Sequence, residues 1–140
     1  MQTHETAPSL PAWQTEIIEL HHFFEGWLGG TLSNDAATFD RFVSATSPTF
    51  TMITPRGDLL DYAAIRQLIA NLYGTRSELR IWIEQPRLLL QNEAISIVCY
   101  EEHQQWPENR TARLATAIFT ADPAAPNGVR WEHVHETWAS

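Results

Sequence analysis

Trp13, Ile17, Leu20, Phe24, Trp27 and Leu28 recur at three- and four-residue spacing, which places them on one face of a helix. The spacing predicts a helix over residues 12–28, stopped by Gly29-Gly30, because glycine accepts the left-handed conformation of a helix C-cap. The eleven residues before it are polar, hold Pro8 and Pro11, and read as a flexible tail preceding a single domain over 12–140. Ser33, Asn34 and Asp35 offer N-cap side chains, and Phe39, Phe42 and Val43 form a second apolar stripe. Together they predict a short helix over 34–45. Thr49–Thr54 is β-branched and aromatic and reads as a strand, followed by a turn at Pro55-Arg56-Gly57-Asp58. Asp61 then caps a third helix carrying Ile65, Leu68, Ile69 and Leu72, with Gly74 as its stop.

Beyond Gly74 the helical period disappears. Four β-rich runs follow, 78–91, 94–105, 111–121 and 129–138, separated by turn-forming residues. Pro86 lies inside the first run, so that strand is expected to bulge there or to lie at an edge. Consecutive strands joined by short turns favour antiparallel pairing. Helices segregated onto such a sheet make the fold α+β.

Composition narrows the class. The 140 residues carry nine Arg, no Lys, 17 Asp plus Glu, and a formal charge of −8. The cations are scattered, which argues against a nucleic-acid partner. No apolar run approaches the roughly 20 residues of a membrane span. The first residues lack the basic start and apolar stretch of a secretory signal. A single cysteine, Cys99, excludes an intrachain disulfide and any all-Cys metal site. A cytoplasmic protein without cofactor is the expectation.

Four local features, taken in order, carry a family resemblance over residues 13–138. They are Trp27-Leu28-Gly29-Gly30 with Asp35 and the short second helix, Phe50–Gly57, the alternating run Ala94–Glu101, and Trp131-Glu132-His133-Val134-His135-Glu136-Thr137. This order resembles the nuclear transport factor 2-like superfamily, which includes SnoaL-like and ketosteroid isomerase-like proteins. It is also similar to the hub domain of calcium/calmodulin-dependent kinases. The resemblance implies a cone-shaped, curved, mostly antiparallel sheet wrapped around three helices, a pocket inside it, and a homodimer through the sheet. It implies no single reaction, because a fold does not assign chemistry.

Strand alternation sorts the candidate side chains into two sets. Along the second β run, Ile95, Ile97, Cys99, Glu101 and His103 share one face, and Ser96, Val98, Tyr100, Glu102 and Gln104 share the other. Both faces are partly apolar, so one is expected under helices and the other against a partner subunit. The likeness to the kinase hub, whose pocket arginine falls at the matching position, places Glu101 on the concave face with His103 two residues on. Arg113 is expected nearer the mouth. Desolvation in an apolar pocket would raise the pKa of Glu101 and suit it to act as a general base, with His103 relaying the proton. Arg113 would hold an anionic oxygen. The alternative is that Glu101 only pairs with Arg113 or stays in water at the rim.

Tyr73 and Trp138 are further ligand-binding candidates, because matching hub positions lie near its pocket; Trp27 joins them as an aromatic that is otherwise plain core. His133 and His135 point the same way along one strand, but two ligands do not make a metal site, and none is expected. His21 and His22 cannot share a helix face, so one flanks the core while the other meets solvent. Cys99 reads as inert core. These features suggest a pocket for a small apolar or amphipathic molecule. Two alternatives stand beside it: a cofactor-independent isomerase, cyclase or dehydratase using Glu101, and a non-catalytic dimerisation or protein-binding domain.

Overall fold

The computed structural model describes residues 9–139. The tail expected over 1–11 therefore lies largely outside the described residues. Helix α1 (Ala12–Gly29) buries Trp13, Ile17, Leu20, Trp27 and Leu28 as the spacing predicts, and Gly30 ends it at φ 75°. Asp35 caps α2 (Ala36–Ala45) by accepting the Thr38 N–H at 2.8 Å, and Asp61 caps α3 (Tyr62–Asn71) by accepting the Ala64 N–H at 2.9 Å. Each cap satisfies a donor that the helix itself leaves open.

The strands are β1 (Thr46–Ile53), β2 (Leu59–Asp61), β3 (Arg80–Gln91), β4 (Ile95–Trp106), β5 (Asn109–Ala121) and β6 (Val129–Trp138). β1 starts three residues earlier than its β-branched run suggests and carries Pro48 within it. β2 has only three residues, too few to show a period. β3 fulfils both expectations for Pro86. It is an edge strand, and its pairing with β4 shifts between Glu84 and Arg87, where Gln85 takes φ 54°.

The six strands form one sheet in the order β2-β1-β6-β5-β4-β3. β3 to β6 pair antiparallel with their sequence neighbours, and β1 lies parallel to β6. The expectation of a cone-shaped curved sheet is corrected here: the sheet is open and mixed, with β2 and β3 as separate edges, and it wraps around the three helices without closing or curling strongly. The parallel pair arises because β1 enters the sheet before α3, far from β6 in sequence, so no hairpin sets its direction.

The core fills the space between α1, α2 and the inner sheet face, with Ile17, Val98, Ala117 and Phe119 wholly buried. Charged groups are buried with them, and one is tied to several elements at once. Glu16 on α1 is inaccessible and accepts from Arg41 at 2.8 and 3.2 Å, Asn127 at 2.9 Å and Trp131 Nε1 at 2.8 Å. A carboxylate so fully paired ties α1 to α2, to the β5–β6 loop and to β6.

A two-residue turn fixes the face that matters most. Pro107 and Glu108 join β4 to β5, with Trp106 opposite Asn109 and Glu108 at φ 68°. That register sets Glu102 opposite Arg113, Tyr100 opposite Ala115 and Val98 opposite Ala117. Residues directly opposite share a face, so the Glu102 set joins the Arg113 set on the inner side.

Candidate functional site: a cavity over a buried ion cluster

Between the helices and the inner sheet face lies a cavity of about 240 Å³. Its walls are aliphatic and aromatic, with Leu20, Phe24, Phe50, Ile65, Ile69 and Val134 among them. Its floor is polar and comes from four elements: His21 on α1, Tyr100, Glu102 and Gln104 on β4, Arg113 on β5 and Glu136 on β6. Arg76 reaches the same cavity from the segment after α3.

The floor is a chain of hydrogen bonds. Arg76 Nη1 donates to Gln104 Oε1 at 2.7 Å, and Gln104 Nε2 donates to Glu102 Oε2 at 2.5 Å. His21 Nε2 donates to Glu102 Oε1 at 3.0 Å, and His21 Nδ1 donates to the Ile17 carbonyl at 2.7 Å. Both histidine nitrogens face acceptors, which is the bonding of an imidazolium. Burial works against that charge, but Glu102 outweighs it and raises the pKa of His21. Burial likewise opposes the Glu102 carboxylate. The charge and hydrogen bond of His21, then Arg113 and Gln104, overcome it and hold the group down to about 2.

Glu136 is placed differently. It is buried beside the same cluster, and its single hydrogen bond among the described residues is from Arg113 Nη1 to Oε1, at 3.1 Å. Burial raises its pKa, the negative charge of Glu102 adds to this, and Arg113 only partly offsets both, so it stands at about 7. Tyr100 is pushed well up by burial and then by Glu102, so its hydroxyl keeps its proton. No hydrogen-bond partner for that hydroxyl is present among the described residues, although Tyr100 lines the cavity. Two carboxyl groups with opposite shifts, close to one another, are the arrangement that separates a fixed charge from a proton carrier.

Among the side chains singled out in the sequence, Arg113 lines this cavity. Glu101 and His103 do not: the concave-face placement is corrected, because the two-residue turn puts them on the outer face. There His103 Nε2 sits 3.1 Å from Glu101 and 3.3 Å from Glu84, and its ring stacks on Trp82 at 5.3 Å. Their ligand atoms lie within 4.8 Å of one another in a half-exposed cluster, and Glu101 lines a separate outer-face cavity with Arg87, Cys99 and Leu114.

Trp27 is core, packed edge-on to Tyr73 at 4.8 Å and donating to the Ile69 carbonyl at 2.8 Å. Tyr73 spends its hydroxyl on the Leu32 carbonyl at 2.5 Å. Neither lines the cavity, and Trp138 is half exposed at the end of β6, where the Arg113 guanidinium lies 4.8 Å over its ring. His133 is held by Thr51 at 2.8 Å, and His135 is exposed. His21 is the buried member of its pair and His22 the exposed one.

Three residues central to the floor were missed: Glu102, Glu136 and His21 in its ionic role. One signal was available. His21 falls four residues after Ile17 and three before Phe24, inside the apolar stripe, so it needs a buried acceptor.

An open sheet wrapped around three helices, with a cavity between them, is the fold of a nuclear transport factor 2-like protein. A protein of that description and unknown function from Pseudomonas aeruginosa is 30% identical, with a TM-score of 0.85, over 93% of this chain and 100% of that one. The CaMKII hub of S. rosetta shares the fold at 18% identity and a TM-score of 0.71, over 95% of this chain and 100% of the hub. Within this class, the chain belongs to the sucrose-6-phosphate phosphohydrolase C-terminal family, whose model matches residues 13–140. Sucrose-phosphatase 2 of Nicotiana tabacum is 22% identical over 132 residues, and the probable sucrose-phosphatase 2 of Arabidopsis thaliana is 22% identical over 126. These alignments cover 92% and 89% of this chain but only 31% and 29% of the relatives, so the chain spans about three-tenths of their length.

The cluster makes stability depend on pH in two directions. Glu102 ionises more readily folded than unfolded, so its contribution is present above about pH 4.5 and is lost as pH falls toward 2. Glu136 holds its proton more tightly folded, so its contribution is present below about 4.5 and is lost as pH rises through 7. His21 adds to the second arm, since its raised pKa gives stability that is lost as pH rises through the folded value. Calorimetric Tm is expected to peak near pH 5 and decline toward pH 8, and Glu136→Gln should flatten the decline between 5 and 7. A wild-type Tm that rises steadily from pH 5 to 8 would contradict the assignment.

Proposed function

We propose that this domain binds a small, largely apolar molecule through one polar group that accepts hydrogen bonds. The observation that carries the reading is the apolar cavity ending on the buried ion cluster. An apolar cavity of about 150 Å³ holds benzene. By that scale 240 Å³ suits a ligand of about ten non-hydrogen atoms. At neutral pH the floor holds Arg76, Arg113 and the imidazolium of His21 against the carboxylate of Glu102 and a partly protonated Glu136. The excess is positive, which favours a carbonyl or carboxylate at the ligand's polar end.

The names of the plant relatives suggest sugar phosphates. The cavity walls argue otherwise for this site. A sugar carries a hydroxyl on nearly every carbon, and each one buried against leucine, isoleucine or phenylalanine without a partner costs about 1–3 kcal/mol. The reading therefore keeps a small-molecule ligand and sets the sugar aside. It also keeps homodimerisation through the outer sheet face, supported by the exposure of Leu90, Ile95 and Leu114 there.

A panel of bicyclic ketones and aromatic carboxylic acids tests the pocket by thermal shift. At least one member is expected to raise Tm in a concentration-dependent way, and Met52→Trp, which fills the cavity from β1, should remove the effect. A panel without effect on the wild-type protein, or with equal effect on the filled variant, would refute the reading. For the dimer, sedimentation at micromolar concentration should give twice the 16.0 kDa chain mass. A monomer there would end that proposal.

A further inference from the structure

We infer that Glu84, Glu101 and His103 form a binding site for a divalent cation of the Zn²⁺ type on the outer face of the sheet. The site lies across the sheet from the cavity beneath the helices, so it stands or falls independently of the ligand reading above.

The strand register creates the cluster. Glu84 on β3 lies directly opposite Glu101 on β4, and two residues along the same face Trp82 lies opposite His103. Like charges directly opposite one another on a sheet are unfavourable. Among the described residues neither carboxylate has an ion pair with an arginine, although Arg110 lies 5.3 Å over the Trp82 ring. Their shared partner is His103, whose Nε2 stands 3.1 Å from Glu101 Oε1 and 3.3 Å from Glu84 Oε2. One N–H at Nε2 therefore serves two acceptors, on a side chain that is only 12% exposed.

The spacing is that of a coordination shell. Two ligands each about 2.1 Å from a tetrahedral Zn²⁺ stand about 3.4 Å apart. Both distances from His103 Nε2 already match that edge. The third edge, between the carboxylates, is within 4.8 Å, and closing it takes at most about 1.4 Å of movement by glutamates that are 45% and 33% exposed. His103 Nδ1 is sealed from solvent with no partner among the described residues. It stays unpartnered whichever nitrogen carries the ring proton, so moving that proton to Nδ1 and freeing the Nε2 lone pair for a cation creates no further unpaired group.

Trp82 supports two of the three ligands. Its ring stacks on His103 at 5.3 Å and 12°, and its Nε1–H donates to Glu84 Oε2 at 2.8 Å. One tryptophan thus fixes the plane of the imidazole and aims a carboxylate, which is the outer support that metal ligands commonly have. The donor set selects the cation. One imidazole with two carboxylates suits Zn²⁺ and its first-row neighbours, whereas Mg²⁺ and Ca²⁺ take oxygen ligands. Three protein ligands leave the fourth position of a tetrahedral ion to water.

The test is calorimetric titration of the untagged chain with ZnCl₂, with MgCl₂ and CaCl₂ in parallel, and nitrogen NMR of the histidine rings to locate the ion. The wild-type chain is expected to take up Zn²⁺ with a shift of His103 Nε2, and to give no heat with the other two salts at the same concentrations. Glu101→Gln keeps the size of the side chain and an oxygen for His103 but removes one of the opposed charges. Its metal-free Tm should not fall, and its Zn²⁺ affinity should drop by more than about 10-fold. Trp82→Phe keeps a ring to stack but loses the N–H to Glu84, and should weaken binding about 10-fold. His135→Ala, an exposed histidine outside the cluster, should bind as the wild type does.

No uptake of Zn²⁺ at millimolar concentration, unchanged affinity in Glu101→Gln, or an equal loss in His135→Ala would overturn the inference. Equal affinity for Mg²⁺ would overturn it too, since that marks general attraction to an acidic surface.

Discussion

Two carboxyl groups, Glu102 and Glu136, are buried on strands flanking β5, and they cannot both carry full charge there at little cost. The remainder of the floor follows from that constraint. Glu102 is kept ionised by a buried imidazolium from α1 and by the Gln104 amide. Arg113 lies between the two strands and binds the second carboxyl group. Glu136 then bears the unfavourable part of the balance, and its proton is the one that moves most easily near neutral pH. The inner face thus holds a carboxylate kept ionised by its partners beside a carboxyl group whose pKa stands at about 7.

The fold supplies what this arrangement needs. His21 reaches the sheet only because α1 lays its apolar stripe on the inner face, and the stripe itself carries the histidine. A third buried carboxyl group, Glu16, fastens α1 to α2, to the β5–β6 loop and to β6 a little over one turn before His21. Helix and sheet are therefore held by ionic contacts at Glu16 and His21 while apolar packing surrounds them. Breaking a buried pair by removing one partner is costly, so both contacts restrict how far the helix can drift from the sheet.

Much of the fold was legible along the chain. The helices, both aspartate caps and the disruption at Pro86 follow from apolar spacing, local capping chemistry and the missing N–H of proline. The parallel placement of β1 against β6 did not, because it joins segments far apart in sequence with no hairpin between them. The site was legible only as two alternating sets of residues. Both sets contain apolar and acidic members, so hydrophobicity does not say which faces inward. The length of the turn at Pro107-Glu108 decides it, and a change of one residue there exchanges Glu101 for Glu102 across the sheet. Arg113 shares its face with Ala115, Ala117 and Phe119, the buried side of β5, and so lines the cavity.

The charge balance of the floor turns on the protonation of Glu136 in the folded protein. Carbon-13 NMR of the glutamate side-chain carboxyls, titrated from pH 3 to 9 with Glu136→Gln to assign the signal, reads it without a ligand. The Glu136 resonance is expected to move with a midpoint near 7 while Glu102 stays ionised down to the acid limit of the titration. A Glu136 midpoint near the ordinary glutamate value of about 4.3 would contradict it, because the floor would then hold two carboxylates and no proton to exchange.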